Sequence, residues 1–121
     1  MKNRRQVLGR WGEIQAIKLL SQKGYQIVEQ NARTPYGEID IVAVQNNELV
    51  FVEVKTRTTE LFGLPEDSIT REKQAHMLNS AMAYLQEHPD WESDWRIDVI
   101  AIQHAKSRKP QIVHFENVIT G

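Results

Sequence analysis

Two runs rich in β-branched residues, Glu38–Val44 and Leu49–Lys55, are joined through Gln45-Asn46-Asn47-Glu48. Paired asparagines between such runs signal a tight hairpin, because Asn tolerates the left-handed backbone that a two-residue turn demands. With Asn46 and Asn47 in the turn, Gln45 faces Glu48, and continuing the register sets Asp40 opposite Glu53 and Glu38 opposite Lys55. Side chains alternate along a strand, so Glu38, Asp40, Glu53 and Lys55 would share one face. Val42 and Phe51 continue that face, while Ile39, Ile41 and Ala43 line the other with Val50, Val52 and Val54. Strands apolar on both faces are central and covered. This register holds only without a bulge.

Directly opposed like charges destabilise a sheet by up to roughly 1 kcal/mol. Apolar surroundings make the conflict between Asp40 and Glu53 worse. Two partly buried carboxylates in contact must share a proton, find a base or bind a cation. With Lys55 two residues beyond Glu53, a divalent metal plus a lysine is the economical arrangement, and an all-oxygen site suits Mg²⁺ or Mn²⁺. The plainer alternative is a solvated face on which Lys55 screens its neighbours.

The rest of the chain frames this hairpin. Arg5 to Lys23 reads as a helix, with Val7, Trp11, Ile14 and Ile17 at helical spacing and Gly24 as a stop. Tyr25 to Gln30 is a short strand, and Thr34-Pro35-Tyr36-Gly37 a turn. The long connection Thr56–Ile69 is of the kind that often serves function. A second helix starts with Ser68 or Thr70 as N-cap and runs to about Glu87, with Ala75, Leu78, Ala81, Met82 and Leu85 inward. Trp95–Ile102 and Gln111–Val118 are two further strands, separated by a turn at Lys106–Pro110. The order α-β-β-β-α-β-β implies an α/β fold: a mixed central sheet flanked by helices, in a single domain over residues 1–121.

Composition narrows the function classes. Cysteine is absent, which excludes disulfide frameworks, thiolate metal sites and thiol nucleophiles. His76, His88, His104 and His114 lack metal-ligand spacing. No apolar run approaches the roughly 18 residues of a membrane span. The basic start gives way to Gly9-Arg10-Trp11-Gly12-Glu13 instead of an apolar leader, so a cytoplasmic protein without a membrane partner is expected. The formal net charge is −1, but residues 1–60 carry 9 Lys/Arg against 7 Asp/Glu, and residues 61–121 carry 6 against 9. A polyanion would therefore approach near Lys2, Arg4, Arg5, Arg10, Lys55 and Arg57, away from Asp90, Glu92 and Asp94. Trp91 and Trp95 could stack on bases but lie in the acidic segment, where packing or a dimer contact is the better reading.

Helix one adds a third acid. Glu13 shares a stripe with Gly9, Ala16, Ile17 and Leu20 that otherwise looks packed, and Gly9 and Gly12 would admit a backbone or a phosphate. Gly12-Glu13, Asn31-x-Arg33, Gly37-Glu38-Ile39-Asp40-Ile41-Val42-Ala43 and Leu49-Val50-Phe51-Val52-Glu53-Val54-Lys55-Thr56-Arg57 closely resemble the YraN family of bacterial proteins. Lys73, Ala81, Tyr84-Leu85 and Arg96-x-Asp98-Val99 extend the match over nearly the whole chain. That family resembles the restriction-endonuclease-like PD-(D/E)xK nucleases and, among them, the archaeal Holliday-junction resolvases. The resemblance implies that Glu13, Asp40, Glu53 and Lys55 form the catalytic set. Ile39 stands where proline often precedes the first acid, and the helix-two Gln-x-x-x-Tyr of one branch is not met, since Leu78 follows Gln74.

On this resemblance the chain is expected to be an Mg²⁺- or Mn²⁺-dependent endonuclease acting on DNA, including branched repair or recombination intermediates. Asp40, Glu53, the Val54 carbonyl and Glu13 would hold the metal, and Arg4, Arg5, Arg10 and Arg57 the DNA backbone. Cutting both strands of a junction would need a homodimer. The competing readings are a non-catalytic nucleic-acid binding module and a protein-interaction subunit on the same fold.

Overall fold

Asn46 and Asn47 adopt positive φ angles of 52° and 63°, the backbone that lets a two-residue turn follow the twist of its strands. Around them, β2 (Gly37–Gln45) and β3 (Glu48–Arg57) pair antiparallel, from Gln45↔Glu48 to Ile41↔Val52. This is the expected register. A computed structural model describes residues 3–58, 70–91, 94–104 and 109–119. The remaining elements are α1 (Arg4–Gln22), β1 (Gln26–Thr34), α2 (Arg71–Glu87), β4 (Trp95–Gln103) and β5 (Gln111–Phe115). Their order is α-β-β-β-α-β-β, as the sequence pattern implies. Ser68, residues 59–69 of the long connection and Lys106–Arg108 of the last turn lie outside the described residues, as does Lys2.

One five-stranded sheet runs β1-β2-β3-β4-β5, with β3 and β4 parallel and every other pair antiparallel. The sheet is mixed because the β3-to-β4 connection carries α2 as a crossover. Strand β1 is longer than expected and reaches Thr34, where the Thr34 hydroxyl donates to the Gly37 carbonyl (2.7 Å) and accepts from the Tyr36 N–H (3.1 Å). Strand β5 is shorter and ends at Phe115.

Two cores cover the sheet. Ala16 and Leu20 of α1 pack with Ile41, Ala43, Val50, Val52, Ile100 and Ile102. Ala81 and Tyr84 of α2 pack with Ala32, Ile39, Val42, Leu49, Phe51 and Ile97. Trp91 and Trp95 pack against the second core, so their role is structural. Of the apolar residues at helical spacing in α1, Val7 is 54% and Ile14 47% exposed, and the packed stripe is the one Glu13 shares with Ala16, Ile17 and Leu20. Gly12, Ala16 and Leu20 are buried. A Cβ at Gly12 would collide with the Thr56 hydroxyl, so α1 approaches β3 too closely for a larger residue. In α2, Ala75 and Met82 are exposed, and Ser80, Ala81 and Tyr84 are buried. Thr70 is its N-cap, its hydroxyl accepting from the Lys73 N–H.

Candidate active site

The antiparallel ladder between β2 and β3 ends at Ile41↔Val52, one pair short of Asp40 and Glu53. Beyond that point β2 stays with β1 through Ala32↔Ile39 and Arg33↔Glu38, and β3 stays with β4 through Glu53↔Val99 to Arg57↔Gln103. The two strands part. Asp40 does not oppose Glu53 as a ladder partner, nor Glu38 Lys55; instead the Val54 N–H donates to Asp40 Oδ2 at 2.8 Å. The carboxylate thus takes a hydrogen bond that a strand carbonyl would otherwise accept. Alternation breaks here too: Ile41 sits in the core under α1 and Ile39 in the core under α2, though a regular strand keeps them on one face. The pleat turns over at Asp40, which is why a uniform alternation misplaced Ile39.

Asp40 is half-buried and keeps unfavourable company. Burial, then Glu53, then Glu13 push its carboxyl up to about 7, and the Val54 hydrogen bond and Lys55 offset only part of this. Glu13, projecting from α1, is likewise held above the usual glutamate range by burial and by Glu38 and Glu53, with Arg10 acting against them. Lys55 Nζ lies 3.2 Å from Glu53 Oε1, and both side chains are largely covered. Glu13, Asp40, Glu53 and Lys55 therefore feel one another's charge near the point where β2 and β3 part.

The donors are all oxygen and their negative charge is under-compensated, which fits a hard divalent cation. Among the described residues no three His, Asp or Glu side chains form a ready-made metal cage. Mg²⁺ tolerates that, since it keeps several waters and takes one or two carboxylates.

Lys73 belongs to the family resemblance but not to the expected catalytic set. It projects from the first turn of α2, and its amine meets that of Lys55; that contact, then burial, hold its ammonium below the usual lysine range. No spacing rule links positions 55 and 73, and the resemblance marked Lys73 without giving it a role. Arg57 adds positive charge beside Lys73. Arg10 lines a surface hollow with Gln6, Gly9, Glu13 and Asn31. Arg4 and Arg5 lie elsewhere, in a groove with Val7, Leu8, Trp11, Thr58 and His104. The four arginines thus do not form one patch: Arg57 lies near Lys73, Arg10 beside Glu13, and Arg4 and Arg5 in a separate groove.

A second polar cluster lies on the same sheet. Asp98 of β4 is fully buried and accepts from Arg96, from His114 Nε2 (2.8 Å) and from the Asn117 N–H (2.9 Å). Arg96 also pairs with Glu48 and reaches the Tyr25 hydroxyl.

The model of the Uncharacterised protein family UPF0102, the YraN family, matches residues 12–102. The chain belongs to this family. A UPF0102 protein of Desulfosudis oleivorans is 46% identical over 103 residues, covering 85% of this chain and 84% of its own. A UPF0102 protein of Desulfitobacterium hafniense is 38% identical over 122 residues, covering 98% of this chain and 100% of its own. Among solved structures, a chain of the EndoMS-dsDNA2 complex is similar at 13% identity and a TM-score of 0.42. The likeness covers 79% of this UPF0102 protein and 37% of that chain. No described helix of the UPF0102 protein is long and apolar enough to cross a membrane.

Proposed function

We propose that this UPF0102 protein is a metal-dependent endonuclease that hydrolyses phosphodiester bonds in DNA. The observation that carries the reading is Asp40, half-buried where β2 and β3 part, set against Glu53 while Lys55 stands 3.2 Å from that glutamate. A fold that needed only stability would not hold two carboxylates against each other with a lysine that offsets only part of their repulsion. Asp40 and Glu53 would hold Mg²⁺ or Mn²⁺, with the Val54 carbonyl and Glu13 as further donors. The ion would supply Lewis acidity toward a phosphoryl oxygen and a water of lowered pKa.

The chain's own groups do the rest. The Val54 N–H fixes Oδ2 of Asp40, which leaves Oδ1 as the oxygen that would take the ion. Lys55, anchored by Glu53, offers positive charge where negative charge builds on the phosphorus during attack by water. Arg57 and Lys73 extend that charge, and Arg10, Arg4 and Arg5 would hold flanking phosphates without reading sequence. Branched DNA is the finer reading, with a homodimer supplying the second site.

Cleavage of branched, duplex and single-stranded DNA with Mg²⁺ or Mn²⁺ tests this. Wild type is expected to cut, and Asp40→Asn and Lys55→Ala to lose at least about 10²-fold in rate, Lys55→Ala with DNA affinity nearly unchanged. Failure to cut any of these with either cation, in a folded protein, would sink the reading.

A further inference from the structure

Beside the Glu53–Lys55 pair the surface sinks into a cleft of about 260 Å³ between α2 and the separating ends of β2 and β3. Its walls are of two kinds. Ile39, Phe51, Met77 and Ile97 make it apolar inside, and Glu38, Glu53, Lys55 and Lys73 line it with charge. Ser80, at 5% exposure, lines the cleft, and its hydroxyl has no hydrogen-bond partner among the described residues. A buried polar group is ordinarily paired, and an unpaired one is destabilising unless something supplies the partner. Tyr36, on the turn between β1 and β2, also lines the cleft and is 54% exposed, so a broad aromatic face is left uncovered.

A flat heteroaromatic ligand with polar edges satisfies all of these features. The apolar walls and the Tyr36 ring offer stacking surface, and the Ser80 hydroxyl offers one hydrogen bond to a ring edge. The volume falls below the roughly 300–1,000 Å³ of a pocket for a drug-sized ligand, which limits the occupant to about one base. Because Glu53 and Lys55 belong both to the cleft and to the proposed hydrolytic site, a base seated here would be joined to a phosphate at that site.

We propose that the cleft seats one unpaired nucleobase of the strand being cut. The preferred substrate is then DNA with an unpaired nucleotide at the cleavage site, not continuous duplex. This rests on the endonuclease reading and specifies its substrate. A base already unpaired enters at the least energetic cost, which makes the cleft a selectivity filter.

The test uses a duplex carrying one unpaired 2-aminopurine and the same duplex fully paired. In an Asp40→Asn background, which binds without cutting, the bulged duplex is expected to bind about tenfold tighter and to change its 2-aminopurine fluorescence. Met77→Trp fills the cleft and should bring both affinities to the paired value. Tyr36→Ala changes an exposed side chain outside both cores, so it probes stacking without risk to folding; it should reduce the preference several-fold. Equal binding of the two duplexes, or a preference that survives both substitutions, overturns the cleft proposal, and wild-type cleavage of paired duplex would then leave the nuclease reading standing. A preference lost in Met77→Trp, without cleavage of any DNA by wild type, would keep the cleft as a base site and remove the nuclease reading.

Discussion

Two aspartates occupy the same sheet, and their surroundings treat them in opposite ways. Asp98 has no exposed surface, yet its carboxyl is held below the usual range: burial raises it, and hydrogen bonds from His114, Arg96 and the Asn117 N–H more than reverse that. Asp40 is less buried but pushed up to about 7, because Glu53 and Glu13 add repulsion to burial, and the Val54 N–H and Lys55 answer them only in part. The difference separates a carboxylate that the fold completes from one that the fold leaves incomplete. At Asp98, Lys23 donates to His114 Nδ1 at 2.9 Å, which leaves Nε2–H to donate to the aspartate. At Asp40 the Val54 N–H and the charge of Lys55 offset only part of the repulsion.

The largest expected effect lies at the completed site. Asp98→Ala strips Arg96 and His114 of a shared buried partner and should cost about 3–5 kcal/mol of stability in urea unfolding. Asp40→Asn, measured beside it without divalent cation, should be neutral or stabilising because it removes a repulsion. If Asp40→Asn unfolds more readily than Asp98→Ala, the contrast between the two sites is wrong.

A cation should distinguish them next. Mn²⁺ or Mg²⁺ at about one hundred times its dissociation constant should stabilise the wild type by about 2.7 kcal/mol. Asp98→Asn should keep that increment and Asp40→Asn should lose most of it. Titration calorimetry that finds no divalent binding in the wild type would remove the metal-dependent mechanism.

The same two groups give pH slopes of opposite sign. Asp40 binds its proton more tightly folded than unfolded, so its contribution is greatest below its unfolded value of 3.8 and is lost as pH rises towards about 7. Asp98 has a lowered folded value, so its contribution is present above 3.8 and is lost as pH falls through that lowered value. Stability of the metal-free protein should therefore decline from about pH 4 to 7, less steeply in Asp40→Asn. An unchanged slope in that variant would assign the decline to other groups.

The hairpin that carries Asp40 was legible because two asparagines fix its turn, and the observed pairs follow that register to Ile41↔Val52. What lay beyond was not legible. Period-two alternation has no way to announce that strands part and the pleat turns over, so Ile39 was placed on the face of Ile41 and Ala43, whereas it packs under the other helix. Helix one was legible in part: the stripe of Ala16 and Leu20 is buried as its pattern implied, while hydrophobic spacing alone gave no sign that Val7 and Ile14 lie exposed or that Gly12 meets Thr56. The contacts of Lys73 and of the Asp98 cluster escaped because they join distant segments: Lys73 to Lys55, and Asp98 to His114 and Asn117.

The smallest expected effect tests whether the charge around the two sites also differs in purpose. Arg96, the cation at Asp98, is committed to Asp98 and Glu48, so it has little to offer an outside anion. At the other site Lys55 and Lys73 stand amine to amine with Arg57 nearby, an arrangement of like charges that phosphate would relieve. Lys73→Gln should therefore weaken DNA binding only a few-fold, but it should flatten the plot of log affinity against log salt by about 0.9, the loss of one phosphate contact. Charge reversal at Arg4 and Arg5 should flatten it further and equally for all sequences. Asp94→Lys, at the exposed approach to β4, should add only weak nonspecific affinity. An unaltered slope in Lys73→Gln would make Lys73 a neighbour of the site and not a holder of its substrate.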